Sequence, residues 1–592
     1  GIEKKEQEDR TISAPQVVAN KEATSATIVD ESRVQALVRL ETKKQDATAP
    51  LSIAEQIKDN APIKEAVLNE LKEKGIEYTK LADFDLVFNG FVLETKYKDA
   101  LKIRQLARVE KVEITPLTAQ ADAQPSAMKQ NTLLPTKVSD ENELINLQPL
   151  WDKGIKGQGR VVAVLDTGLD VHHNFFSLTD KSKAKYQNKE QMEAAMKKAG
   201  ITYGKWYNDK VVYAYNYSDM NDEIREDDPR SHGTHVAGSA VGNATKPVPT
   251  GEYQKGVAPE AQFIFMRVFS DKKGMTEQGF IVAKAVEDAV KLGADTINMS
   301  LGSSTGSMVN ADSDIVDAIK RARAKGVSVL ISAGNSNSFG NGYSRPSAEN
   351  PDYGLVGNPS TVEDSISVAS INNNVITTEV FEVKGLEGNA EADNGKFDYS
   401  KSAADADFEK GKEYEYVSVG LGKEDDFKDL DLTGKLALIQ RGEIPFSEKI
   451  ANAFHHGAAG ALVYNNVEGS NLGMAIEGDA KKIPSVFISK RYGEALKAGS
   501  YKIVFNNTMA NRPSPEADQL SDFSSWGVTT DGQLKPDVTA PGGNIFSSLN
   551  DNTYGDMSGT SMASPHVAGV AALVKEYLVK HHPELTPEQV SE

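Results

Sequence analysis

The sequence predicts an α/β fold centred on a doubly wound parallel sheet, with a small α+β unit before it and a compact insertion within it. Three observations predict this. Between residues 160 and 335, apolar strand candidates alternate with amphipathic helix candidates, the grammar of a parallel sheet with helices on both faces. The strand candidates, such as "RVVAVLDTG" (160–168), are continuous apolar runs, as buried strands are. The pattern changes at about 373 and resumes at "DFSSWG" (522–527), so the stretch between reads as an insertion.

Taken in order, residues 1–30 are polar and charged with little periodicity and read as a flexible leader. "RVQALVRL" (33–40) is a strand candidate. "IKEAVLNELKEKG" (63–75) has helical spacing at Ile63, Ala66, Val67 and Leu71 and stops at Gly75. "FDLVFNGFVLET" (84–95) reads as one strand, "KDALKIRQLARV" (98–109) as a helix and "KVEITP" (111–116) as a strand. Residues 31–116 thus form the α+β unit, and 117–141 have linker composition. In the central unit, "AQFIFMRVF" (261–269), "TINMSLG" (296–302) and "VSVLISAGN" (327–335) are strands, while "GFIVAKAVEDAVKLG" (279–293) and "SDIVDAIKRARAKG" (313–326) are helices. The predicted organisation is 142–372 and 513–592 for the α/β unit and 373–512 for the insertion.

Composition bounds the function. Hydrophobic residues make up 39% and charged residues 26%, the profile of a globular protein with a large core. A formal net charge of -19 argues against nucleic acid or an anionic membrane as the main partner. The absence of cysteine excludes disulfides, thiol nucleophiles and cysteine metal sites. No apolar run reaches membrane-spanning length. The sequence opens at Gly1 without a signal peptide and stops at "LTPEQVSE"; both ends read as trimmed.

The chemistry centres on "GDMSGTSMASPHVAG" (555–569), small and polar residues leading into an apolar helix. A serine hydroxyl is a weak nucleophile unless a base lies within hydrogen-bond reach and a carboxylate orients that base. His232, opening the small-residue helix "SHGTHVAGSAVG" (231–242), is the candidate base, and Asp166, ending "RVVAVLD", the candidate carboxylate. Asn335 in "SAGNS" is the candidate oxyanion donor. Asp166, Ser300 and Asn335 all fall at the carboxyl ends of predicted strands, where chemistry sits in such sheets.

The stretches "VLDTG", "HGTHVAG", "SAGN" and "GTSMASPHVAG" together resemble the subtilisin-like serine proteases (subtilases, the S8 family). With "ENPDYGLVGNPS" (349–360) and the insertion's "GKLALIQRG" and "HHGAAGALVYNN", the chain most resembles the Gram-positive cell-envelope proteases of the lactocepin and C5a peptidase group. The resemblance implies a subtilisin-like sheet and an Asp166–His232–Ser561 triad, with Asn335 as side-chain oxyanion donor. It implies that Ser300, Leu301, Gly302 and Gly334 offer backbone groups to an extended peptide. Residues 31–116 would be a ferredoxin-like inhibitory propeptide of the I9 type, the intramolecular inhibitor, with a processing site in 117–141. Residues 373–512 would be a protease-associated (PA) domain. Protein or peptide substrates, no required cofactor, and secretion with wall anchoring through a further C-terminal region are also implied. The family's structural-calcium Asp is replaced: "HHNFF" (172–176) puts Asn174 and Phe175 there, and the sequence shows no calcium site elsewhere.

Other readings are open at this level. Ser561 alone could be a helix cap. His232 and His235 are spaced as a metal pair could be, but there is no HExxH motif and no evident third ligand. A silent adhesin acting through the insertion and an esterase are the rival classes; the lack of a G-x-S-x-G elbow weighs against the second. The acidic run Asp219, Asp222, Glu223, Glu226, Asp227 and Asp228 reads first as a solvated loop, and second as a border of the substrate cleft that favours basic side chains. Pro565 reads as a first-turn helix proline.

Overall fold

The computed structural model describes residues 29–43, 52–116, 145–226, 231–270, 279–301, 313–333, 360, 363–525 and 535–592. Residues 1–28 of the leader, the 117–141 linker, Gly302, Gly334, Asn335, Asp227 and Asp228 lie outside the described residues.

The N-terminal unit runs β1 (Arg33–Leu40), α1 (Ile53–Glu73), β2 (Thr79–Phe84), β3 (Gly90–Lys96), α2 (Tyr97–Ile103) and β4 (Val109–Pro116). Its sheet order is β2-β3-β1-β4, with antiparallel neighbours, the split βαββαβ arrangement. Alternation along β1 explains its two-sided burial. Val34, Ala36, Val38 and Leu40 pack with Val67 and Leu71 of α1, while Leu37 joins Phe84 and Val92 against the central unit. The helix begins at Ile53 rather than Ile63, because Ser52 and Glu55 form a reciprocal capping box that starts it upstream of Pro62. The single strand expected over 84–95 is two strands with a loop between. The N–H groups of Asp85, Leu86 and Val87 all donate to Glu287 Oε1, at 2.9, 2.5 and 3.0 Å, so they are not available to a sheet. The helix expected over 98–109 ends at Ile103, and Val109 already belongs to β4.

The central unit begins with the short helix α3 (Gln148–Asp152) and continues with β5 (Val161–Asp166), α4 (Lys189–Lys198), β6 (Val211–Asn216), α5 (His232–Val241), β7 (Gln262–Arg267) and α6 (Gly279–Lys291). It goes on through β8 (Thr296–Met299), α7 (Ser313–Ala324), β9 (Ser328–Ser332) and β10 (Ile366–Asn372). The insertion follows. Its strands are β11 (Val375–Lys384), β12 (Lys396–Asp398), β13 (Ser400–Lys401), β14 (Glu413–Tyr414), β15 (Tyr416–Ser418), β16 (Leu436–Gln440), β17 (Gly460–Tyr464), β18 (Ser485–Ile488) and β19 (Lys502–Pro513), with helices α8 (Phe446–His455) and α9 (Lys490–Lys497). β11 and β19 pair antiparallel from Val375↔Pro513 to Lys384↔Lys502, so the chain leaves and re-enters the central unit side by side. The central unit closes with β20 (Val538–Gly543), the hairpin β21 (Ile545–Leu549) and β22 (Thr553–Met557), α10 (Thr560–His581) and α11 (Pro587–Ser591).

The central sheet has the order β20-β10-β9-β8-β5-β7-β6, and every neighbouring pair in it is parallel. Strand parity sets its two faces. Val161, Ala163 and Leu165 of β5 pack with α6 and α7, whereas Val162 and Val164 pack with α5 and α10. Asp166 has the even parity, so it falls on the α5–α10 face at the carboxyl end of the sheet.

Candidate active site

Two helices meet above that end of the sheet. All ten residues of α5 are buried, which small side chains permit: a Cβ on Gly238 would meet the Ser547 and Ser548 hydroxyls at 2.3 and 2.4 Å, and one on Gly233 the Gly168 carbonyl at 2.1 Å. Ser231 precedes α5 in the left-handed conformation (φ 51, ψ 32), uncommon for a non-glycine residue and concentrated at functional sites. Its hydroxyl accepts from the Asn550 N–H at 2.9 Å. This turn delivers His232 as the first residue of the helix.

His232 Nδ1 lies 2.6 Å from Asp166 Oδ1, with both side chains essentially buried. The same carboxylate oxygen accepts the Thr167 N–H at 2.7 Å. A buried carboxylate needs such partners, and a carboxylate on Nδ1 keeps the proton there and leaves Nε2 as the basic nitrogen. Thr167 extends the support. Its hydroxyl donates to Glu226 Oε1 at 2.9 Å and accepts from the Gly233 N–H at 3.2 Å. Glu226 is 2% exposed, so the solvated-loop reading of the acidic run is corrected at this residue: its carboxylate is used inside the fold. Asp219, Asp222 and Glu223 line a pocket of about 680 Å³ with Asp170, Tyr207 and Arg225.

Among the described residues, no group of His, Asp and Glu side chains that could hold a metal ion includes His232 and His235. His235 Nε2 donates to the carbonyls of Ile545 at 2.7 Å and Gly555 at 3.2 Å, and burial lowers its pKa to about 3. Phe175, where the family carries a calcium ligand, is buried against Val248, Phe546 and Tyr554. Those surroundings suit a ring and not a hard cation, which takes oxygen ligands.

Ser561 is the second residue of α10, which packs on α5. Gly559 precedes it, and the Gly559 N–H bonds the Gly542 carbonyl at 2.8 Å. Among the described residues the Ser561 hydroxyl donates to the Ser300 carbonyl at 3.4 Å and makes no hydrogen bond to the His232 ring. The structure therefore brings Asp166 and His232 into contact and places Ser561 beside the end of β8, at a helix N-terminus whose free N–H groups favour negative charge. Pro565 is the sixth residue of α10, not a first-turn proline as the sequence suggested. Leu301 is fully buried, directed with Ile297 and Met299 into the core under α6 and α7.

Sequence reasoning missed the supporting residues Thr167, Glu226, Ser231 and Asn298. For Asn298 a signal was present. In "TINMSL" (296–301) polar and apolar residues alternate within a strand of a sheet buried on both faces. The polar set, Thr296, Asn298 and Ser300, faces α10: Thr296 Oγ1 bonds the Ala568 carbonyl at 3.4 Å and Ser300 Oγ the Ser561 carbonyl at 2.8 Å.

Comparison with known proteins matches residues 157–592 to the family described as "Subtilase family". The chain is 42% identical over 455 residues to a C5a peptidase of Streptococcus pyogenes serotype M3, covering 76% of this chain and 38% of that protein. It is 33% identical over 537 residues to a PII-type proteinase of Lactococcus lactis subsp. cremoris, covering 86% of this chain and 26% of that protein. A PII-type proteinase of Lacticaseibacillus paracasei is equally similar. The chain thus spans well under half the length of these relatives.

Proposed function

The chain belongs to the subtilase family, whose α/β fold it has, and from that premise we propose that it is a serine endopeptidase acting outside the cell. The observation that carries the reading is the buried 2.6 Å contact between Asp166 and His232, with Ser561 on the helix packed against that of His232. Ser561 Oγ attacks the scissile carbonyl carbon as His232 Nε2 takes its proton. Asp166 holds Nδ1–H and stabilises the imidazolium. The oxyanion is met by the Ser561 N–H at the start of α10 and by Asn335, whose role rests on the family motif. His232 then protonates the departing amine, and water, deprotonated by the same ring, hydrolyses the acyl-enzyme. The backbone of Ser300 to Gly302, with Gly334, pairs with an extended peptide.

Residues 31–116 act as an intramolecular inhibitor, released by a cut within 117–141, and 373–512 are a PA domain. The names of the relatives, C5a peptidase and PII-type proteinase, support a protein or peptide substrate, and the extracellular setting rests on the resemblance to the cell-envelope proteases. The triad chemistry requires no cofactor. The test is the Ser561→Ala chain. The wild type should react with a fluorophosphonate probe at Ser561 and convert to a shorter form when pure. The variant should do neither. A wild type that never reacts with the probe, although folded, would leave the silent-adhesin reading in place.

A further inference from the structure

A proline in a helix interior has no N–H for the carbonyl four residues earlier, and its ring crowds that carbonyl. In α10 the proline is Pro565, and the carbonyl it leaves without a helical donor is that of Ser561. That carbonyl is not abandoned. The hydroxyl of Ser300, at the end of β8, lies 2.8 Å from it.

The Ser300 hydroxyl is held in turn. Asn298 Nδ2 donates to it at 2.9 Å, and the Ser564 hydroxyl lies at 3.0 Å. Asn298, Ser300, Ser561 and Ser564 are all fully buried. Donor counting fixes the direction. A carbonyl only accepts, so the single Ser300 proton goes to the Ser561 oxygen. The two lone pairs of Ser300 Oγ then receive the Asn298 amide and the Ser564 hydroxyl, and the group is saturated.

We propose that the Ser300 side chain is a positioning residue: it replaces the helix bond that Pro565 removes and so fixes the backbone of Ser561 for attack. The proposal rests on the reading of Ser561 as the nucleophile. It gives Ser300 a role separate from any pairing of its backbone with a peptide. The role follows from geometry, since the one residue Ser561 carries the attacking hydroxyl, an oxyanion donor and the carbonyl that Ser300 holds, and small displacements of such groups are costly to rate. Asn298 supports Ser300 and fixes which way its proton points.

The experiment compares the fluorophosphonate labelling rate and the kcat and KM for a peptide among the full-length wild type, Ser300→Ala, Thr296→Val and Ser300→Ala/Pro565→Ala, with the Tm of each. Ser300→Ala should lower the labelling rate and kcat about 10- to 100-fold with KM little changed, the scale of one buried carbonyl left without a donor. Thr296→Val removes a bond to the same helix two stripe positions away, and should lower Tm without slowing labelling. Pro565→Ala gives residue 565 an N–H for the Ser561 carbonyl, so the double variant should recover most of the lost rate. Wild-type labelling in Ser300→Ala, an equal loss in Thr296→Val, or a double variant that recovers neither fold nor rate overturns the proposal. An unreactive wild type would instead refute the reading of Ser561 as the nucleophile.

Discussion

Asp166 is held by two donors on one oxygen, the His232 ring and the Thr167 N–H, and this arrangement defines what its removal does. Asp166→Asn keeps the shape but offers His232 Nδ1 an amide, which no longer selects the tautomer with a basic Nε2. The expected outcome is a fall in kcat of about four orders of magnitude with the circular dichroism spectrum unchanged. Gly233 sets a different kind of demand. A Cβ there would lie 2.1 Å from the Gly168 carbonyl, and backbone cannot yield as a flexible side chain can. Gly233→Ala should therefore destabilise the fold by about 1–3 kcal/mol, read as a lower urea midpoint, and slow the reaction through displacement of His232. At this scale the pairing of Asp166 with His232 was legible, because the motifs that hold them carry a chemical requirement. Thr167 and Glu226 were not: a threonine closing an apolar strand and a glutamate in an acidic run give no hint that they will bond to each other inside the fold.

At the scale of elements, α5 and α10 approach closely because glycine and alanine line both, and the same smallness marks them in the sequence. The loop between β2 and β3 is the opposite case. Its residues Leu86 and Val87 read as strand because they are apolar, yet their N–H groups end on Glu287 of α6. Burial would raise the Glu287 carboxyl, but Lys291, Lys284 and the Leu86 N–H hold it below its ordinary value, so it meets the loop as an anion. Lys291 Nζ also reaches Asp85 Oδ2 at 2.7 Å. Glu287→Ala should weaken the hold of residues 31–116 on the central unit by at least about 2 kcal/mol, since hydrogen bonds to a charged acceptor are the strong ones. The check is inhibition: the N-terminal segment added to processed enzyme should inhibit the variant more than tenfold less well. Equal inhibition would show that the apolar contacts of Phe84 and Val92 suffice.

For the whole molecule, buried titrating groups set the response to acid. Burial lowers the pKa of His235 to about 3 and that of His566, whose Nδ1 donates to the Met562 carbonyl, to about 4. Below the ordinary histidine value the unfolded chain takes up protons that the folded one refuses. Stability should therefore fall as pH drops from about 6.5 towards 4, by about 1.4 kcal/mol per pH unit for each ring. Asp556 acts in the opposite sense. It is half-buried between the hairpin strand β22 and the insertion, accepts the Thr377 N–H at 2.8 Å, and is held well above its ordinary value by the desolvation of its carboxyl. The folded chain keeps that proton where the unfolded chain releases it, so acid favours folding at this position. Asp556→Asn should accordingly steepen the acid fall, measured by urea denaturation as pH is lowered towards the ordinary aspartate value. An unchanged slope would mean that Asp556 is ionised in the folded protein.

By itself the sequence determined the class of the fold and the existence of most strands and helices of the central sheet, and it carried the motifs from which Asp166, His232 and Ser561 are proposed as the reacting side chains. These are local properties: the period of apolar residues, the composition of a segment, and a motif a few residues long. Only the tertiary structure decided that Asp85 to Val87 form a loop seated on α6, that Glu226 is buried, that Phe175 fills an apolar cluster, and that the carbonyl freed by Pro565 finds its donor on β8. Each of these depends on a partner between 59 and 261 positions away in the chain or on packing from several elements at once, and no pattern within a short window encodes a partner at that distance.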